Sequence, residues 1–149
     1  MSVYVQRMKK AQAILKKNGW EAVIASSPAN FFYFTGTWLD SHERLQAVVI
    51  PRTGSASIIV HEMSREEISA PDGVQLLFWK DGESAIQVLS EILPEQGVIS
   101  IDNQWPSEKL IDLMSIRKHL SFVKSTSVIG ALRLRKDESE IELLRKSGE

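Results

Sequence analysis

The sequence predicts an α/β fold, a three-layer arrangement in which a mixed sheet of about six strands carries helices on both faces. Three observations predict it. A helical periodicity opens the chain, two β-rich runs flank a short glycine-containing turn, and the remaining runs alternate between strand and helix character. The chain has 149 residues, enough for one compact domain and short for two.

Val5, Met8, Ala11 and Leu15 recur at spacings of three and four, with Lys9, Lys10, Lys16 and Lys17 outside that stripe. This predicts an amphipathic helix that ends near Asn18-Gly19, where glycine takes the left-handed cap. Residues 20–25 (WEAVIA) form a short apolar run with β-branched members and read as a buried strand, broken by Ser26-Ser27-Pro28. Residues 29–34 suit a short helical turn before Thr35-Gly36. Residues 45–51 and 56–61 flank Arg52-Thr53-Gly54-Ser55 and predict a β-hairpin.

Residues 62–69 read as one short helix, stopped by Pro71-Asp72-Gly73, and residues 74–79 as a strand. Asp81 is a candidate N-cap for a helix carrying Ile86, Leu89 and Leu93, with Glu83 in its first turn. Residues 98–101 read as a strand, Pro106 suits the first turn of a helix using Leu110, Leu113 and Met114, and residues 121–124 make a final strand. Near the end, Asp137 with Glu140 three residues on resembles a capping box, followed by Ile141, Leu143 and Leu144. Such a short helix is marginal alone, so this tail reads as the opening of a following domain or as a frayed terminus.

Composition excludes several classes. Eighteen basic against nineteen acidic residues give a formal charge of −1, so no strongly basic face for nucleic acid is implied. The absence of cysteine removes disulfides, cysteine-ligated zinc and thiol nucleophiles, and suits a reducing cytosol. The lysine-interrupted N-terminus is neither a secretory signal nor a membrane span.

Catalytic motifs are missing too. His42, His61 and His119 have no partners at metal-site spacing, and no G-x-S-x-G, Walker A or G-x-G-x-x-G pattern occurs. His61 reads as surface or as a hydrogen-bonded strand terminus, and His119 as a cation at a helix C-terminus. Asp102 follows a strand, where ligands of open sheets bind, yet Asp102-Asn103 is equally good turn chemistry. A nuclease with a similar layering needs converging carboxylates, and only Glu21 and Asp102 lie at or beside core strands. One segment stands apart. Residues 36–45 (GTWLDSHERL) gather Trp38, Asp40, His42, Glu43 and Arg44, which can pair with a charged ligand or simply form a solvated charged loop.

Three stretches resemble the creatinase/prolidase family, whose members include Xaa-Pro dipeptidases, aminopeptidases P and creatinases. Residues 30–36 (NFFYFTG) resemble its N-x-x-Y-L-T-G signature, with Phe34 in place of leucine. Residues 40–45 (DSHERL) resemble the D-P-H-E-R-[LV] segment of bacterial prolidases, with Ser41 in place of proline. Residues 133–141 (RLRKDESEI) resemble the R-x-x-K-[DS]-x-x-E-[IL] junction into the catalytic domain.

The resemblance implies that residues 1–132 form the creatinase/prolidase N-terminal domain, with its ribonuclease H-like motif, and that residues 133–149 are the junction and first part of a C-terminal catalytic domain. It implies a cytoplasmic Xaa-Pro dipeptidase, acting as a homodimer, whose catalytic domain holds two divalent metal ions, usually manganese or cobalt. No catalytic or metal residue and no cofactor is expected in this chain itself, which is expected to be inactive alone and to need neither nucleic acid nor membrane. Residues 38–44 become an expected lid over the partner subunit's active site. Trp38 would exclude water, His42 and Arg44 would engage the dipeptide's C-terminal carboxylate, and Asp40 and Glu43 would orient those cations or meet the free amine. The alternatives are an aminopeptidase P-like parent, or a stand-alone binding domain of the same fold.

Overall fold

The computed structural model describes residues 2–40, 44–135 and 145. Helix α1 (Val3–Asn18) begins where Ser2 Oγ accepts the Val5 amide at 3.1 Å. It ends at Gly19, whose φ of 70° lets its N–H reach the carbonyls of Leu15 and Lys16. Strand β1 (Ala22–Ala25) leads to α2 (Pro28–Thr35), where proline occupies a first-turn position that lacks an intrahelical acceptor anyway. Strands β2 (Ala47–Pro51) and β3 (Ser57–His61) form the expected hairpin. Strand β4 (Gln75–Trp79), α3 (Ala85–Glu91), β5 (Gly97–Ile101), α4 (Ser107–Ile116) and β6 (Leu120–Lys124) follow. A π-helical turn, Thr126–Gly130, then runs into α5 (Ala131–Leu134).

The six strands form one sheet in the order β4-β3-β2-β1-β5-β6. The β1/β2 and β2/β3 pairs are antiparallel, whereas β1/β5, β3/β4 and β5/β6 are parallel, so the sheet is mixed. Alternation along the strands separates two cores. Val23, Val48, Ile50 and Ile58 pack with Met8, Leu15, Phe31 and Leu132 from α1, α2 and α5. Ile24, Val49, Ile59 and Ile99 pack with Leu89 and Leu113 from α3 and α4. Helices therefore cover both faces, and the three layers are those the sequence predicts. Each fully buried Leu, Ile or Phe contributes about 1.5–3 kcal/mol, which makes these two cores the main source of stability.

Two sequence expectations fail. Residues 62–69 do not form one helix; a single 3-10 turn, Glu62–Ser64, is all that develops. Ile68 is drawn into the core and the Arg65 guanidinium lies 4.0 Å from the Phe78 ring centroid, so tertiary contacts override local propensity. Asp81 does not cap α3. Ser84 does, its Oγ accepting the Gln87 amide at 3.2 Å, while Asp81 Oδ1 lies 2.9 Å from His61 Nε2. The tail helix expected from Asp137 falls outside the described residues.

Candidate functional site

Strands β1 and β5 run parallel side by side and end at the same edge, the place where open α/β sheets bind ligands. Here the chain fills that place with its own carboxylate. Asp102 follows β5 directly and is only 3% exposed. Its Oδ2 accepts the amides of Ser26 and Ser27, both at 2.8 Å, the Ser27 hydroxyl at 2.9 Å and Asn30 Nδ2 at 3.0 Å. Its Oδ1 accepts the Gln104 amide at 2.9 Å, which is the turn the sequence suggested. An anion at the start of α2 also complements the helix dipole. Burial pushes the Asp102 pKa up, but the Ser26, Gln104 and Ser27 amides and the Asn30 side chain outweigh it, and the carboxyl titrates below its ordinary value.

The first family-like stretch, residues 30–36, is explained by the same edge. Asn30 Oδ1 accepts Arg133 Nη1 at 2.8 Å, so one amide joins Asp102 to α5. The Tyr33 carbonyl accepts Arg7 Nη1 at 2.7 Å, and the Arg7 guanidinium lies 4.3 Å from the Tyr33 ring centroid. Thr35 Oγ1 donates to the Phe31 carbonyl at 2.8 Å and accepts the Thr37 amide at 3.1 Å. Gly36 caps α2 with φ of 77°, and a Cβ there would meet the Tyr4 hydroxyl at 2.5 Å. These residues build the scaffold.

The charged segment starts directly after Gly36, and its two ends are anchored. Leu39 and Leu45 are buried, and Gln46 Nε2 donates to the Leu39 carbonyl at 2.7 Å and the Ser26 carbonyl at 3.3 Å. Ser26 Oγ donates in return to the Gln46 carbonyl. Trp79 Nε1 donates to the Leu45 carbonyl at 2.9 Å, and the His61 ring stands edge-on to Trp79 with centroids 4.6 Å apart. His61 is thus a buried, hydrogen-bonded strand terminus: Nδ1 accepts the Met63 amide at 3.1 Å, which leaves Nε2–H to donate to Asp81.

The expected site residues divide between two places. Asp40 and Arg44 are exposed and line one cleft of about 180 Å³ with Ser26, Ser27, Gln104 and Lys109. Arg44 Nη1 also approaches Met63 Sδ at 3.2 Å. Trp38 turns elsewhere: it is 60% exposed and lies 6.1 Å, centroid to centroid, from Phe32, itself exposed. His42 and Glu43 lie outside the described residues. Sequence reasoning missed Lys109 and Gln104 as cleft residues, because nothing in their local pattern links positions 104–109 to position 44. His119 is exposed beyond the end of α4.

Among the described residues no three His, Cys, Asp or Glu side chains converge as a metal-binding group. Nor, among them, is any helix long and apolar enough to cross a membrane. What the edge offers is an anchored loop base with a cation and an acid over a shallow cleft, and, apart from that cleft, an exposed aromatic pair. Such a surface can bind and cover a charged ligand.

Residues 7–135 match the model of the Creatinase/Prolidase N-terminal domain. The probable dipeptidase PepE of Mycobacterium tuberculosis is 26% identical over 98% of this chain and 40% of its own length. The crystal structure of the dipeptidase PepE from Mycobacterium ulcerans superposes with a TM-score of 0.83 at 26% identity, covering 94% of this chain and 39% of that one. The prolidase from Thermococcus sibiricus does so with a TM-score of 0.80 at 27% identity, covering 95% and 40%. The chain therefore spans about two fifths of the length of the relatives it matches.

Proposed function

The chain belongs to the creatinase/prolidase N-terminal domain family, and from that premise we propose that it is the accessory domain of a metal-dependent Xaa-Pro dipeptidase. In this reading it supports a homodimer and gates the partner subunit's active site for dipeptides with C-terminal proline. The observation that carries the proposal is the pattern of coverage: nearly all of this chain aligns with a dipeptidase and a prolidase, while more than half of each of them lies outside the match.

The geometry at the sheet edge supports a gating role. Leu39, Leu45 and Gln46 fix the base of the loop against the sheet, a rigid mount for the charged side chains it carries. Arg44 supplies a guanidinium suited to a carboxylate, in a fork geometry that lysine lacks. Asp40, at the other end of the same segment, orients that cation or meets a free amine. Trp38, paired with Phe32, offers an apolar plate that excludes water when pressed against another surface. His42 is assigned to the same carboxylate and Glu43 to the cations.

The family implies two divalent metal ions, manganese or cobalt, and the described residues do not fit such a centre, since no three donor side chains converge. No step of the reaction is therefore assigned to metal ligands within this chain. Residues 133–149 are proposed to join it to the catalytic module, and the cytoplasm is the proposed compartment.

Arg44→Ala in the full-length enzyme tests the proposal. Losing one charge-assisted contact to substrate raises KM for Xaa-Pro by about tenfold, with a smaller change in kcat. An Arg44→Ala enzyme with wild-type KM and kcat sinks the gating role.

A further inference from the structure

Arg44 is exposed, yet the contacts on both sides of it trace back to one buried ring. His61 ends β3, pairs with Trp79 of β4 and is only 2% exposed. On one side its ring stands edge-on to Trp79, whose indole N–H holds the carbonyl of Leu45, the residue after Arg44. On the other, His61 Nδ1 accepts the Met63 amide at 3.1 Å and so caps the 3-10 turn Glu62–Ser64. That turn presents Met63, which is 68% exposed and belongs to neither core, with its Sδ 3.2 Å from Arg44 Nη1. Asp81 Oδ1, 2.9 Å from Nε2, keeps the proton on that nitrogen and leaves Nδ1 as the acceptor. An apolar side chain beside Trp79 would close the core without the cost of burying a polar ring. What the imidazole adds is the hold on Met63.

We propose that His61 is a positioning residue for Arg44, acting on its side chain through Met63 and on its backbone through Trp79. The inference rests on the carboxylate-binding role given to Arg44 above and names the residues that regulate its aim. A long arginine side chain gives up rotamer freedom when it grips a carboxylate, so ordering it beforehand strengthens binding. The chemical step is untouched, and the effect falls on KM rather than on kcat.

Asparagine and glutamine at position 61 separate the two nitrogens. Asparagine Oδ1 takes the place of Nδ1 and accepts the Met63 amide, whereas glutamine Nε2 takes the place of Nε2 and donates to Asp81. Both variants lose the ring, so the difference between them isolates the Met63 arm. In the full-length enzyme, His61→Gln raises KM for Xaa-Pro by about threefold with kcat nearly unchanged, and His61→Asn recovers most of that loss. Met63→Ala, at an exposed site that leaves both cores intact, matches His61→Gln. Neither change raises KM further in an Arg44→Ala background.

NMR relaxation of the Arg44 Nε–H in this chain reads the same ordering without substrate. The side chain is more mobile in His61→Gln and Met63→Ala than in the wild type, and close to wild type in His61→Asn. Equal Arg44 mobility in every variant overturns the inference, as does His61→Asn behaving like His61→Gln. It also falls if Arg44→Ala raises KM while Met63→Ala does not, an outcome that leaves the gating reading standing. If Arg44→Ala leaves KM unchanged, the gating reading falls, and the relaxation measurement alone decides whether His61 positions Arg44.

Discussion

Asn30 and Arg133 are 103 positions apart in sequence, yet Asn30 Oδ1 accepts Arg133 Nη1 at 2.8 Å. The same side chain donates to Asp102 Oδ2 at 3.0 Å. One amide therefore links the turn after β5, the first turn of α2 and α5. The two stretches that mark the family at either end of the sequence, residues 30–36 and 133–141, are in contact at their first residues. That contact holds α5 against the sheet edge.

Removing either side of that link has a measurable cost. Arg133→Ala is expected to lower stability by about 1 kcal/mol, since its partner can turn to water. Asn30→Ala costs more, about 2 kcal/mol, because Asp102 also loses a donor while buried. In a double-mutant cycle by urea unfolding, the pair couples by roughly 0.5–1.5 kcal/mol. Strict additivity would mean the contact contributes nothing.

Asp102 is the hub of the edge, and Asp102→Ala strands the Ser26 and Ser27 amides at the start of α2. A loss of about 3 kcal/mol is expected, a fall in Tm of roughly 6–12 °C for a domain of this size. A shift under about 2 °C would show that α2 starts equally well without the carboxylate.

The same carboxyl sets an acid limb. Its folded pKa lies below the ordinary 3.8, burial being outweighed by the donated hydrogen bonds. A depressed folded value means the stabilisation is fully present above the unfolded pKa and disappears as pH falls through the folded one. Stability measured from about pH 6 down to about pH 2 therefore drops in the wild type, and more shallowly in Asp102→Asn. Parallel curves would assign the acid limb to other groups.

Gly36 cannot be replaced without strain. Gly36→Ala meets a left-handed φ of 77° and the Tyr4 hydroxyl, for an expected loss of about 1–2 kcal/mol. Comparing Gly36→Ala in the wild-type and Tyr4→Ala backgrounds by chemical denaturation separates the two causes. The steric part disappears without Tyr4, and a backbone part of about 1 kcal/mol remains.

Trp79→Phe keeps most of the ring packing but leaves the Leu45 carbonyl without its indole donor. A loss of about 1–2 kcal/mol is expected, together with faster limited proteolysis within residues 38–44. Unchanged cleavage would show that Leu39 and Gln46 hold the loop base without help.

Local pattern determined much of the fold. The stripe from Val5 to Leu15 and the cap at Gly19 set α1, and the β-branched runs around Arg52-Thr53-Gly54-Ser55 set the hairpin. These features were legible because each depends on residues within a few positions of one another. The segment 38–44 stood out for the same reason, as charge and aromatic character concentrated in one loop.

Tertiary structure alone decided the rest. Asp102 offered two readings, a turn residue or a ligand at a strand end, and only its meeting with Ser26, Ser27 and Asn30 made it the internal anion of α2. Asp81 was available to cap a helix until His61 came within 2.9 Å, and Ser84 then took the cap. Lys109 joined Arg44 at a cleft that no spacing announced. The physical reason is common to all three. A short polar side chain can satisfy its hydrogen bonds locally or across the fold, and the choice depends on which partners burial brings within about 3 Å.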